Sequence, residues 1–509
     1  MLNQLKKLPL IAKLLLIVLV LFSFAIRIIP ILHGNFFFTM DQGRDAVYVR
    51  EIIERKQLIL KGPETTIPGI FAGPGWYYFL GLGFLFSFGH PVGGIIMLAI
   101  LNVLLTVILF LFIYKYISKL YSWFGAVGLQ IFWPFYDTSR FAFNPFPTVF
   151  LAVVLIVLLV LFVQRKHKKY YYLSLVPVLL AFNADLASAA AIYLFFVCVG
   201  LYLFLKRKIN LKNYLLTTFT LPGIACLFVA KQAFSIFKNP QQLENTRGIF
   251  SGTNFFKMVA QFGKIIADST IPQSLLISAL ILAVVIYLYI RQKNKNQYAY
   301  LFASLTGLIF VVSLAFFSTN KGWRDWHTVY LPTLIFVSTT ILLSQLKKQI
   351  GIVVFTIIIV CQTAIFIPRY IQYLAPNNNP GVLSSQMKVL DWIYTKNEEN
   401  GFNVYTYMTN SYFNYPYDYL FWWYGKAKYG HIPCHYEVYP KSHKYIYIPG
   451  GEFNYNTPTL GCDKLLFLIK EPIVDQDRFD KWSKNFEDTK LIESIILDQI
   501  TIEKRQYLR

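Results

Sequence analysis

The sequence is short of charge. Of its 509 residues, 15% are charged and 56% hydrophobic, whereas an ordinary soluble domain carries about 25% charge. That excludes a soluble globular chain. Acidic residues are the scarcest, 26 against 48 Lys and Arg, for a net charge of +22. Such an excess can mark a nucleic-acid partner. Here the basic residues fall in short clusters between apolar runs and no nucleic-acid motif is visible, so membrane topology explains them. No internal repeat and no long low-complexity run is present, which excludes a repeat array. No small-residue cleavage site follows the first apolar run, so that run reads as a retained span rather than a signal peptide. Cysteine is sparse too, with five in all. Cys198, Cys226 and Cys361 lie in apolar runs and read as packing, while Cys434 and Cys462 lie in a polar tail.

What is abundant is apolar runs of about 18 residues or more, which predict a polytopic membrane protein. Long unbroken runs point to helices rather than a barrel. The expected spans are 14–33, 92–114, 120–136, 146–163, 170–183, 186–205, 213–230, 271–290, 298–317, 328–346 and 350–367. Alternate connections are basic, and the positive-inside rule makes those cytoplasmic. The Asp41 loop, the Arg140 turn, the Asn183–Asp185 turn, the 231–270 loop, the Arg324 loop and the tail then face outward. Eleven crossings follow if the Gly- and Tyr-rich segment 73–90 lies in the interface instead of crossing. Residues 380–509 change character, with alternating segments such as 402–407, 444–448 and 464–470 between helix-like stretches at 382–398 and 475–486. They predict a small α+β extracytoplasmic domain following a membrane module over 1–370.

The chemistry concentrates in the first outer loop, 34–91. It reads Phe38-Thr-Met-Asp41-Gln-Gly-Arg44-Asp45-Ala-Val-Tyr48, then Gly73-Pro74-Gly75-Trp76-Tyr77-Tyr78. Ionisable groups beside a span are costly unless they line a polar cavity, so a functional site is the default expectation. Asp41 has two readings: a general base, or the cap of a helix starting near Gly43. Arg44 could fork onto a phosphate. Asp45 could orient Arg44, act as a second carboxylate or join Asp41 at i, i+4 in a divalent-metal site. No further hard ligands are identifiable, so metal and cofactor stay open.

This arrangement resembles the membrane glycosyltransferases of the C-type fold. The family 39 enzymes, protein O-mannosyltransferases and the aminoarabinose transferase of lipid A are the nearest in pattern. The resemblance rests on an Asp soon after the first span and a Gly-Pro/aromatic segment before the second. It implies transfer of a sugar from a polyprenyl-phosphate donor to a lipid, glycan or protein acceptor at the outer face of the cytoplasmic membrane, with inversion. It also implies that Asp41 is the base and that helices of the first outer loop lie along the membrane surface. Relatives often carry a second acidic residue in the next outer turn, where this chain has Asn144-Pro145, and Asp137 stands seven residues earlier. Tyr48, Trp76, Tyr77 and Tyr78 are expected to shape a lipid and sugar groove. Arg140, Asn144, Lys321, Arg324 and His327 are expected around the donor phosphate, although span-end anchoring explains Arg and Trp there equally well. In the tail, His431, Cys434, His435, His443 and Cys462 admit zinc, free thiols or a Cys434–Cys462 disulfide, the simplest for an outward domain. The competing functions are a flippase or transporter for a lipid-linked saccharide, a polysaccharide polymerase or ligase, and a receptor with a sensing tail. A transporter needs charges in mid-span, and here they sit at span ends.

Overall fold

A computed structural model describes residues 5–65, 70–220, 223, 255–291, 296–319, 323–397, 401–409, 411–440 and 464–508. Among these, seven helices are long and apolar enough to cross a membrane: 10–31, 92–116, 147–165, 186–205, 297–318, 325–343 and 348–374. The eleven crossings expected from the sequence are therefore not all continuous helices. Run 120–136 breaks at Phe132 into Lys119–Ile131 and Trp133–Asp137, with Pro134 in the first turn of the second piece, where its missing N–H costs nothing. Run 170–183 breaks at Ser174 into Lys168–Leu173 and Leu175–Ala181. Run 271–290 yields the shorter helix Leu275–Ile290, and most of 213–230 lies outside the described residues.

The elements that build the site follow in chain order. Helix α1 (Leu10–Ile28) carries a buried Arg27 near its end. Its Nη1 donates to Ser23 O at 2.8 Å, Ser23 Oγ at 2.9 Å and Gln130 Oε1 at 2.9 Å, as a charge at this depth requires. Helix α2 (Met40–Glu54) starts behind a Thr39/Gln42 capping box, in which the Thr39 N–H donates to Gln42 Oε1 at 3.1 Å. Helix α3 (Gly75–Phe86) buries Trp76, Tyr77, Leu80 and Phe84 and leaves Leu82, Leu85 and Phe86 exposed. That one-sided burial suits a helix lying in an interface. Helix α4 (Lys348–Leu374) leads towards the tail.

In the tail, helix α5 (Leu383–Lys396) precedes a five-stranded sheet of β1 (Asn403–Tyr407), β2 (His435–Glu437), β3 (Leu465–Lys470), β4 (Thr489–Leu497) and β5 (Ile500–Tyr507). The order is β2-β1-β3-β5-β4. Strand β1 is parallel to β2 and β3, while β3–β5 and β5–β4 are antiparallel. Asp498 and Gln499, at φ 46° and 68°, make the β4–β5 turn, the doubly left-handed geometry that matches strand twist. All five residues of β1 are buried because both its faces are covered. Tyr405, Tyr407, Leu466 and Leu468 meet Trp482 and Phe486 on one face.

The other face has a consequence for the site. Val404, Phe467 and Ile469 share one continuous apolar core with Val389 and Leu390 of α5, Ala46 and Val47 of α2, and Trp76 and Tyr77 of α3. The tail is thus packed directly on the first loop. Phe38 N–H donates to Gly381 O at 2.8 Å and Leu383 N–H to Phe36 O at 3.0 Å. Arg50 and Asp418 form a buried ion pair at 3.0 Å. Helix α2 also approaches the segment at 415–416 so closely that a Cβ on Gly43 would lie 2.4 Å from Pro416 N and 2.7 Å from Tyr415 C.

Candidate active site

Because Thr39 caps α2, Asp41 is in the first helical turn and is not the cap. The capping alternative for Asp41 therefore falls. The helical repeat then brings Asp41, Arg44 and Asp45 together. Arg44 Nη1 meets Asp41 Oδ1 at 2.9 Å. Its Nε and Nη2 meet Asp45 Oδ1 at 2.9 and 2.8 Å. The second Asp45 oxygen, Oδ2, accepts the Trp76 indole N–H at 2.7 Å.

The two carboxylates are thereby made unlike. Asp45 is 2% exposed with both oxygens engaged, whereas the Asp41 side chain is 42% exposed and its Oδ2 has no partner among the described residues. Burial pushes Asp45 up to about 6 against the pull of Arg44 and the Trp76 N–H. Burial pulls Arg44 down, but the flanking Asp45 and Asp41 charges outweigh it and hold Arg44 well above its usual value. The expected free fork of Arg44 is closed on carboxylates. It anchors Asp41 with one oxygen held and one presented. Asp41 and Asp45 accordingly do not offer two open carboxylates to a cation, and among the described residues no group of three His, Cys, Asp or Glu is placed to hold a metal.

The aromatic residues of α3 point inward. Trp76 and Tyr77 are 2% and 0% exposed, so they wall the carboxylates instead of lining an open mouth. Tyr77 stacks on Tyr48 with centroids 4.6 Å apart, and burial raises its phenol well above the normal value. Tyr78 hydroxyl donates to Ile59 O at 2.9 Å and accepts Ile59 N–H at 3.0 Å, pinning the loop before α3.

The connections at this end of the helices interlock. Asn183 Oδ1 accepts the Gly75 N–H at 2.9 Å, and Phe182 O accepts the Gly73 N–H at 2.8 Å. Gly73 has no room for a side chain, since a Cβ would lie 2.4 Å from Asn183 Oδ1. Asn144 Nδ2 donates to Ala184 O at 2.7 Å. Asp185 Oδ2 caps the following helix through Ser188 N–H at 2.9 Å and meets His327 Nδ1 at 3.0 Å. His327 is buried, so it joins two turns instead of facing a ligand. Arg324 is exposed, makes one long contact to Trp323 O at 3.4 Å and has no acidic partner among the described residues. Arg140 is drawn elsewhere, to Asp137 at 2.8 Å, and the two line a cavity beside α4.

Lys321, Cys462, His443 and residues 231–254 lie outside the described residues. Cys434 is disulfide-bonded, which takes its sulfur out of the zinc alternative. Sequence reasoning missed Asn183, Asp185 and Gln42 as parts of the site. For Asn183 and Asp185 the signal was a polar residue where an apolar run stops.

No protein-family model and no curated protein matches the sequence. Solved structures do match. The crystal structure of ArnT from Cupriavidus metallidurans bound to undecaprenyl phosphate superposes with a TM-score of 0.59 over 96% of this chain and 97% of that one, at 8% identity. Its apo form gives 0.57 over 97% and 98%, at 9% identity. The fold is that of ArnT. The likeness to ArnT runs through the tail sheet as well as the helices, since nearly the whole of both chains is covered. It bears out the C-type membrane fold expected from the Asp41 loop.

Proposed function

We propose that this chain is a membrane glycosyltransferase. It takes a sugar from a polyprenyl-phosphate donor and passes it to an acceptor at the outer face of the cytoplasmic membrane. The observation that carries the reading is the asymmetric pair at the start of α2: Asp41, anchored by Arg44 and open at Oδ2, beside Asp45, buried and spent on Arg44 and Trp76. The ArnT structure with undecaprenyl phosphate supports the donor class.

In this mechanism Asp41 Oδ2 receives the acceptor hydroxyl proton. The acceptor oxygen forms its bond to the anomeric carbon from the face opposite the donor phosphate. The bond from that carbon to the phosphate oxygen breaks, and the polyprenyl phosphate leaves with the electron pair. Phosphate is a good leaving group and needs positive charge more than a strong acid. Arg324, exposed and without an acidic partner among the described residues, supplies that charge. Asp45 is a positioning residue that acts through Arg44. The tail, packed on the first loop, borders the acceptor's approach.

The test is loss of donor from a panel of polyprenyl-phosphate sugars, with a membrane extract as acceptor source. Wild type consumes one donor, and Asp41→Asn, equally folded, loses at least about a hundredfold, the lower range for a general base. Equal turnover by both removes Asp41 from the chemistry. Consumption by neither, with transport of intact donor by wild type, replaces the reading with a flippase.

A further inference from the structure

The cavity beside α4 is lined by none of Asp41, Arg44, Asp45 and Trp76. It encloses about 530 Å³ and is lined by Asn35, Trp133, Asp137, Arg140, Arg369 and Tyr373 among others. Three strands of sequence meet there: the segment after α1, the Trp133–Asp137 helix with its following turn, and the end of α4.

The lining carries two guanidinium groups and one carboxylate, a net charge of +1 when all are ionised. Asp137 is committed to Arg140 at 2.8 Å. Arg369 has neither an ion pair nor a hydrogen bond among the described residues. Both guanidinium groups lie against rings. Arg140 Cζ is 3.9 Å from the Tyr373 centroid and 5.1 Å from that of Trp133, and Arg369 Cζ is 5.1 Å from the same indole. A guanidinium held over a ring keeps in-plane N–H donors for an anion; Arg140 sets its Nε against Asp137 and has its two terminal nitrogens left, and Arg369 has all of its donors. Asn35 fixes the floor by donating to Tyr373 O at 2.5 Å and Ala375 O at 2.9 Å.

The surroundings indicate where the anion comes from. Ile367, Ile371 and Leu374 of α4 are exposed around Arg369, and Ile29 and Leu32 are exposed just before Asn35. These belong to two of the helices long and apolar enough to cross a membrane, or to the residues just beyond one of them. Such strips face acyl chains, so the cavity opens where lipid headgroups stand.

We propose that this cavity seats the phosphate of a membrane phospholipid headgroup, gripped by Arg140 and Arg369 with the acyl chains along α1 and α4. The site is independent of the transferase reading, because no residue named here belongs to the Asp41 cluster.

Native mass spectrometry of the full chain in detergent tests it, with phosphatidylglycerol, diacylglycerol of the same acyl chains and inorganic phosphate as separate probes. Wild type retains phosphatidylglycerol. Arg369→Gln and Arg140→Gln each weaken that retention about tenfold, the usual cost of one Arg–phosphate contact. Arg369→Lys, which keeps the charge, recovers part of it and shows that the fold is intact. Diacylglycerol retained as well as phosphatidylglycerol overturns the proposal, as does wild-type retention by both Gln variants. Inorganic phosphate bound as strongly as the lipid overturns the membrane as its source.

Discussion

Replacing Gly43 by alanine sets two effects of known size against each other. Gly43 sits inside α2, where alanine ordinarily stabilises a helix by about 1 kcal/mol. The added Cβ, however, would stand 2.4 Å from Pro416 N, 2.7 Å from Tyr415 C and 2.8 Å from Pro416 Cα. Contacts between such atoms settle at about 3.5 Å or more. All three neighbours are backbone, so no rotamer change relieves the clash, and the tail has to retreat by about 1 Å. That retreat also stretches the buried Arg50–Asp418 pair. Overpacking costs up to about 3 kcal/mol, so the net effect is a loss of about 2 kcal/mol. Thermal unfolding in detergent, followed by intrinsic tryptophan fluorescence, measures it. Gly307→Ala is the control, since nothing lies within 4 Å of its added Cβ on the apolar helix 297–318. A Gly43→Ala protein as stable as wild type, or an equal loss in Gly307→Ala, refutes the close docking of the tail on α2.

Further outcomes follow from other contacts. Asp418→Asn removes one of the two carboxylates beside buried Arg50, leaving Glu51 at 3.4 Å, and costs about 1–3 kcal/mol, whereas the double change Arg50→Met with Asp418→Leu restores most of it; a denaturant melt of wild type and both variants checks the cycle. Asn183→Ala orphans the Gly75 N–H, costs about 1–3 kcal/mol and lowers donor turnover by loosening α3, which assays of stability and turnover read together. Glu471, buried at the end of β3, is pushed up to about 7 by burial, against the Thr409 N–H donated at 2.9 Å and the Arg478 charge. Its folded value lies above the unfolded one, so the folded state binds the extra proton and stability falls as pH rises from about 4.5 to about 7. Glu471→Gln removes a slope worth at most roughly 3 kcal/mol, visible as a flatter melting temperature over that window.

Much of the fold was legible because apolar runs and basic clusters obey the bilayer. The helices at 92–116, 186–205 and 348–374 fall where hydropathy and charge place them. The α3 segment was readable as a helix shorter than a full span from its length and its Gly-Pro-Gly start, and the alternating tail segments at 402–407 and 464–470 became β1 and β3. The broken runs were not legible, because hydropathy averages across Phe132 and Ser174 and does not register a turn of one residue. Within the site, the Asp41–Arg44–Asp45 triplet was visible as local spacing. Its asymmetry was not, since it depends on Trp76, which lies 31 positions away from Asp45. The cavity beside α4 was hidden for the same reason: Arg140 and Arg369 share one indole across more than two hundred residues of sequence.

The docking of the tail on α2 also sets a schedule for biogenesis. Arg50 waits for Asp418, 368 residues later, and Phe38 O waits for Gln386, 348 residues later. At about 5–20 residues per second, synthesis alone separates those partners by roughly 20–70 s. Throughout that interval the part of the Asp41 helix that meets the tail is uncovered. A nascent or truncated chain therefore holds every residue of the Asp41 cluster and still lacks the surface that fixes it in place. A segment made hundreds of residues later completes the first loop, so the Asp41 cluster is fixed in place only once the tail domain has been made.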